Sequence, residues 1–183
     1  MKELENHRHL IPALKTLRSL GIDFQITGSL GLCLCGVVDR EPKDLDIVME
    51  KWDNRLNQYI EPGRGGSVED GDEITNHISI RIACTNVCVF IKKTTVYCTR
   101  YYDGVFYSVA NPVYAIHAKL DMLNTRLVWK LQLKEGWSRA IASKHASDIA
   151  EYFRWYRIQG EGSAAFVPDA PPDIPDSPDD IPW

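Results

Sequence analysis

The sequence predicts an α/β (α+β) protein, with a small mixed β-sheet flanked by helices, a helical C-terminal half and an extended acidic, Pro-rich tail. Three observations carry that reading. Apolar residues alternate with polar ones in two short stretches, 44–49 and 77–84, the period of a strand. Apolar residues recur at three- and four-residue steps near residues 3–20 and again from Pro112 onward, the period of a helix. The last sixteen residues contain six Pro and five Asp, a composition that packs no core and favours extended polyproline conformations. The chain therefore divides into a domain at 1–158 and a disordered tail at 159–183.

Taken in order, Leu4, Leu10, Ile11, Leu14, Leu17 and Leu20 line one face of a helix over 3–20, which Gly21 stops. Pro12 either bends it or marks a late start. Residues 24–27 form a short strand running into Gly28-Ser29, and the small, apolar stretch 30–38 suits a buried helix. In 44–49, Leu45, Ile47 and Met49 share one face, with Asp44, Asp46 and Val48 on the other. Residues 52–60 read as a helix and 61–76, rich in Gly and acid, as a loop. Strands at 77–84 and 87–92 flank Thr85-Asn86 as a hairpin turn, and 95–109 adds one or two strands around Asp103-Gly104. Val113, Ile116, Leu120 and Leu123 then mark a helical stripe, and 147–157 continues it with Ile149, Tyr152, Phe153 and Tyr156.

The 183 residues are 44% hydrophobic, enough to bury a core without disulfides or a structural metal. The net charge of −4 argues at first against phosphate-bearing partners. Six acids, Glu161, Asp169, Asp173, Asp176, Asp179 and Asp180, follow the last basic residue, Arg157, leaving 21 basic against 19 acidic residues in 1–157. The body is thus +2, and nucleic acid is not excluded as a partner. Five cysteines, Cys33, Cys35, Cys84, Cys88 and Cys98, are odd in number and lie in apolar stretches, so they read as small buried hydrophobes in a reducing compartment without zinc-site spacing. The charged start and the lack of a long apolar run predict a cytoplasmic protein with no membrane span.

The stretch that carries chemistry is Gly28-Ser29, fourteen intervening residues, then Asp44-Leu45-Asp46-Ile47. Carboxylates at i and i+2 of a strand project from one face, repel, and invite a cation. Mg2+ accepts one or two carboxylates together with phosphate oxygens and water. Gly28 lets backbone approach a phosphate, and the Ser29 hydroxyl and the amides of the next helix can hydrogen-bond its oxygens.

Gly28-Ser29 with Arg40-x-Pro42-Lys43-Asp44-Leu45-Asp46-Ile47 resembles the signature of the nucleotidyltransferase superfamily, the polymerase-beta-like fold. The likeness is to its small bacterial and phage branches, such as the toxin-antitoxin-like AbiEii group and the minimal nucleotidyltransferases. It covers about residues 5–155, and Ile116, Lys119, Arg126, Lys144, His145 and Asp148 are similar in type to that group's later helices. The resemblance implies that Gly28, Ser29, Lys119 and Lys144 bind a nucleoside triphosphate. It also implies that Asp44 and Asp46 are catalytic and ligate Mg2+, and that the product is a nucleotidyl group on a protein, RNA or small-molecule hydroxyl. Family members add a third carboxylate from a neighbouring strand, and the matching place here is Val87-Cys88-Val89. Glu69, Asp70, Asp72 or Glu73 could substitute; otherwise the chain is a catalytically degenerate binding or structural module, of phage type.

Weaker signals have plain structural readings. His117 and His145 could be general bases, but isolated histidines on helices are more often structural or exposed. A lone Lys on a helix is more often a solvated face. Gly63-Arg64-Gly65-Gly66 lacks the Lys-Ser/Thr of a phosphate loop. The ending Asp179-Asp180-Ile181-Pro182-Trp183 is similar to the acidic tip of bacterial single-stranded-DNA-binding proteins, with Trp in place of Phe. That likeness implies docking of a protein partner; folding back onto the body and an inert spacer are the alternatives.

Overall fold

A computed structural model of the chain describes residues 4–60, 77–129 and 135–162. The expected loop at 61–76, the Gly63–Gly66 run, the four substitute acids and the whole tail, including Asp179 to Trp183, lie outside the described residues.

The first helix starts late. A 3-10 turn at Leu4–His7 precedes α1 (Ile11–Ser19), because Pro12 has no N–H to give to a continuing helix and is accommodated in a first turn. Gly21 at φ +67° closes the helix: its N–H donates to Arg18 O and that of Ile22 to Leu17 O, the paired bonds of a left-handed helix stop. The strand expected at 24–27 narrows to β1 (Gln25–Ile26). α2 (Gly28–Leu34) begins at the Gly-Ser pair itself, two residues earlier than expected. It ends through the same device, with Gly36 at φ +76° and bonds to Cys33 O and Leu32 O.

β2 (Leu45–Met49) keeps the expected alternation only in part: Leu45 and Ile47 are buried and Asp46 is partly exposed, but Val48 is buried as well. The helix expected at 52–60 is a 3-10 segment, Asn54–Tyr59, capped by Asp53 accepting the Arg55 N–H. β3 (His77–Ile82) and β4 (Thr85–Ile91) are joined at Ala83-Cys84, both at positive φ, and not at Thr85-Asn86. A two-residue link with both centres left-handed matches strand twist, so Ile82 faces Thr85 across the hairpin. β5 (Val96–Tyr102) and β6 (Val105–Ala110) form the expected pair around Asp103-Gly104. Two long helices follow, α3 (Pro112–Trp129) and α4 (Glu135–Gly162).

The six strands form one mixed sheet in the order β3-β4-β2-β1-β6-β5. β2 runs parallel to β4 and antiparallel to β1, while β1 runs parallel to β6. Ile26, Ile47, Val89 and Val109 from four adjacent strands are fully buried, as are Leu30, Leu32 and Leu34 of α2. The core therefore pins the start of α2 and the whole of β2, the two segments that carry the Gly-Ser and Asp-x-Asp pairs. Among the described residues no helix is long and apolar enough to cross a membrane.

Candidate functional site

Asp46 stands on β2, beside β1, and β1 turns directly into α2. The Thr27 N–H donates to Asp46 O at 2.9 Å, which locks the residue before α2 onto β2. Gly28 then takes φ +60°, and a Cβ placed on it would come within 1.8 Å of Asp46 Oδ2. The close neighbour that demands glycine here is the Asp46 side chain, a reason beyond the phosphate access expected from sequence. The Asp46 carboxylate accepts the Ser29 N–H.

Burial and the nearby Asp44 push Asp46 up to about 6, against the opposing pull of Lys119, the Ser29 amide and Lys144. Loss of water is the larger cause and the like charge of Asp44 the second.

Cations come from three other segments. Arg40, in the connection between α2 and β2, donates through Nη2 to Ser29 Oγ at 2.5 Å and to Asp148 Oδ2 at 2.5 Å, and through Nε to Asp148 Oδ1 at 2.8 Å. Lys119 of α3 places Nζ 2.9 Å from Asp148 Oδ2. Asp148, on α4, is 2% exposed and Lys119 4%. The pKa of Asp148 is lowered: the Arg40 and Lys119 bonds outweigh burial, which alone would raise it. Lys144 lies one helical turn before Asp148, and its pKa is lowered by burial and by the Arg40 and Lys119 charges.

The fold thus brings together Gly28, Ser29, Asp44, Asp46, Lys119 and Lys144, four of them from the local motif and two from helices distant in sequence. Lys119 is a buried ion-paired residue and not the solvated face that a lone helical lysine usually makes. His117 is exposed and His145 buried. Arg40 and Asp148 complete the arrangement and were not singled out as site residues by sequence reasoning. The available signals were the Arg40 that opens the Asp-x-Asp motif and the i, i+4 spacing of Lys144 and Asp148.

The neighbouring strand supplies a thiol. Cys88 pairs with Asp46 across parallel β2 and β4, and with Ser79 across β3 and β4. Burial and the two aspartates push the Cys88 thiol up to about 12. A protonated thiol donates to a carboxylate and is a poor ligand for a hard cation. Among the described residues, no group of three or more His, Cys, Asp or Glu side chains is arranged to hold a metal. Two carboxylates do suit a cation whose remaining positions are filled by phosphate oxygens and water.

No protein-family model, curated protein or solved structure matches this chain.

Proposed function

We propose that this site binds a nucleoside triphosphate together with Mg2+, in the manner of the nucleotidyltransferase superfamily that the Gly28-Ser29 and Asp44-x-Asp46 motifs resemble. The observation that supports the reading best is Asp46, packed against Gly28, bonded to the Ser29 amide, repelled by Asp44 and faced by Lys119 and Lys144. Asp44 and Asp46 would hold Mg2+, which when bound neutralises the acid pair and polarises the phosphate. The Ser29 hydroxyl accepts from Arg40 and keeps its own proton to donate to a phosphate oxygen. Lys144, the more exposed of the two lysines, offers a mobile cation to the same chain of phosphates. Lys119 fixes positive potential beside it. Transfer of a nucleotidyl group to a protein, RNA or small-molecule hydroxyl is the activity that such binding would serve.

Cys88 supports a second reading, a binding module that holds nucleotide without turning it over. Its thiol stands beside Asp46, where a third acid would complete the metal site that activates an attacking hydroxyl. In that case the acidic end, Asp179 to Trp183, would supply the function by docking a protein partner.

Calorimetric titration of each nucleoside triphosphate with Mg2+ into the parent and into Asp44→Asn/Asp46→Asn tests the first reading. Heat in the parent alone supports it, and equal behaviour of the two proteins removes it. Release of pyrophosphate from the bound triphosphate separates transfer from binding. Deletion of 179–183 should abolish capture of a partner if the tail docks one, and unchanged capture removes that role.

A further inference from the structure

At the far end of α2 from the acid pair, two thiols from distant parts of the chain meet. Cys35 caps the helix C-terminus, and Cys98 lies on β5 opposite Val109 where the β5–β6 register shifts between Val96 and Cys98. The two share a side-chain hydrogen bond. Arg100, two residues along the same strand and so on the same face, donates through Nε to Leu34 O at 3.2 Å and also bonds that oxygen through Nη2. The guanidinium therefore ties the strand to the helix end and sets a positive charge beside both sulfurs. Cys33 is turned away, donating its Sγ–H to Arg40 O at 2.9 Å.

The two thiols differ in a chemically useful way. Cys35 is buried, whereas Cys98 is partly exposed. The Cys35 bond and the Arg100 charge lower the Cys98 pKa, against burial, which would raise it, while that bond and burial raise the Cys35 pKa. A small disulfide can reach the partly exposed Cys98, which makes it the attacking thiol, and buried Cys35 behind it is the resolving one. The sequence expectation that all five cysteines are small buried hydrophobes holds for Cys33 and Cys35 alone: Cys88 and Cys98 are partly exposed, and Cys84, in the β3–β4 turn, is exposed.

We propose that Cys35 and Cys98 form a reversible dithiol–disulfide site that exchanges with small disulfides of the glutathione class. The Cys98 thiolate attacks one sulfur of the small disulfide, forming a mixed disulfide and expelling one small thiolate. Cys35 then attacks the Cys98 sulfur, its proton passing to the second small thiolate as that leaves. The protein loses two protons and two electrons, and the small disulfide gains both to become two thiols. Closure would fasten the C-terminal end of α2 to β5, on the helix whose other end carries Gly28 and Ser29.

The test is incubation of the folded, full-length chain with oxidised glutathione, followed by mass spectrometry of peptides under non-reducing conditions. A Cys35–Cys98 cross-linked peptide is expected in the parent, reversed by excess reduced glutathione. Cys35→Ser should stop at glutathione carried on Cys98. Exposed Cys84 is an internal control, since a mixed disulfide there reports exposure alone. Glutathione on Cys84 with Cys35 and Cys98 still reduced would overturn the proposal. So would cross-linking of Cys98 to Cys33 in place of Cys35. Because the parent chain alone gives the deciding result, misfolding of a variant does not shield the idea.

Discussion

Asp148 grips Arg40 with two parallel bonds, Nε to Oδ1 at 2.8 Å and Nη2 to Oδ2 at 2.5 Å, across a sequence separation of 108 residues. The planar fork of the guanidinium matches the two carboxylate oxygens, a geometry that lysine cannot reproduce. Through Lys119 the same carboxylate also fixes α3, so one buried acid joins the α2–β2 connection to both C-terminal helices.

Asp148→Ala takes from buried Lys119 the carboxylate that its Nζ contacts at 2.9 Å, leaving Asp46 as the acid that faces it. Breaking a buried pair by removing one partner costs about 3–5 kcal/mol, and Arg40 keeps part of its surface in water, which places the expectation near the low end, about 3 kcal/mol. Urea melts of Asp148→Ala and Asp148→Asn measure it. Arg40→Lys should recover little of what Arg40→Gln loses, since charge without the fork cannot bridge Asp148 and Ser29. A change below about 0.5 kcal/mol in Asp148→Ala would mean that the pair behaves as a surface one.

Gly28→Ala meets two penalties at once. At φ +60° a side chain is strained by about 1–2 kcal/mol, and the added Cβ would fall 1.8 Å from Asp46 Oδ2 and 2.5 Å from its Cγ, so β2 or the carboxylate must move. The expected result is a loss of stability of about 2 kcal/mol or more together with loss of triphosphate binding. Thermal melts and the calorimetric titration read the two effects separately. An unchanged melting temperature would show that Asp46 does not pack on Gly28.

The residues that sequence made legible are those whose neighbours are local. Gly28, Ser29, Asp44 and Asp46 lie within nineteen positions of one another, and strand periodicity alone places both acids on one side. The Arg40–Asp148 pair is invisible at that level because its partners come together only when α4 docks. Lys119, taken without the family resemblance, reads as one more solvated helical lysine. The β3–β4 turn was misplaced for a different reason: Ala83 and Cys84 are poor left-handed residues, whereas Asn86 is a common turn former, so local chemistry pointed two positions too far. Tertiary pairing of Ile80 with Val87 and Ile82 with Thr85 keeps the isoleucines in the core and outweighs the turn preference. The N-terminal helix shortened for a reason that was legible, the missing N–H of Pro12.

Asp46 also sets a pH dependence of stability. Its folded-state pKa, about 6, lies above its ordinary 3.8, so the folded chain binds the proton more tightly than the unfolded one. That contribution favours folding most at low pH and is lost as pH rises from about 4 through about 6. In metal-free buffer containing chelator, Asp46→Asn should therefore be more stable than the parent at about pH 8, by about 3 kcal/mol, with the gap closing toward pH 4. Asp148 acts oppositely: its lowered pKa stabilises the fold above its ordinary value and the benefit is lost as pH falls below that. Comparing parent with Asp46→Asn cancels that shared term. Melting curves across this range decide the matter, and a gap independent of pH would contradict the raised pKa. Added Mg2+ should narrow the gap if the acid pair binds it.

Cys88→Asp asks whether a missing acid is all that separates this site from a three-carboxylate one. The register puts the new side chain opposite Asp46 in β4 and opposite Ser79 in β3, so a third negative charge enters beside a pair that already repels. Without a cation this must cost stability, because each carboxylate raises the pKa of the others. With Mg2+ the order reverses: an additional hard oxygen ligand replaces a protonated thiol, and Mg2+ affinity should rise by about tenfold, which is about 1.4 kcal/mol. The measurements are melts with chelator, melts with Mg2+, and pyrophosphate release from a nucleoside triphosphate. Stability lost under chelator and regained with Mg2+ would place Cys88 at a third ligand position of the acid pair. Loss in both conditions would mean that the β2–β4 face cannot be closed by a metal, and would favour the module that binds nucleotide without transferring it.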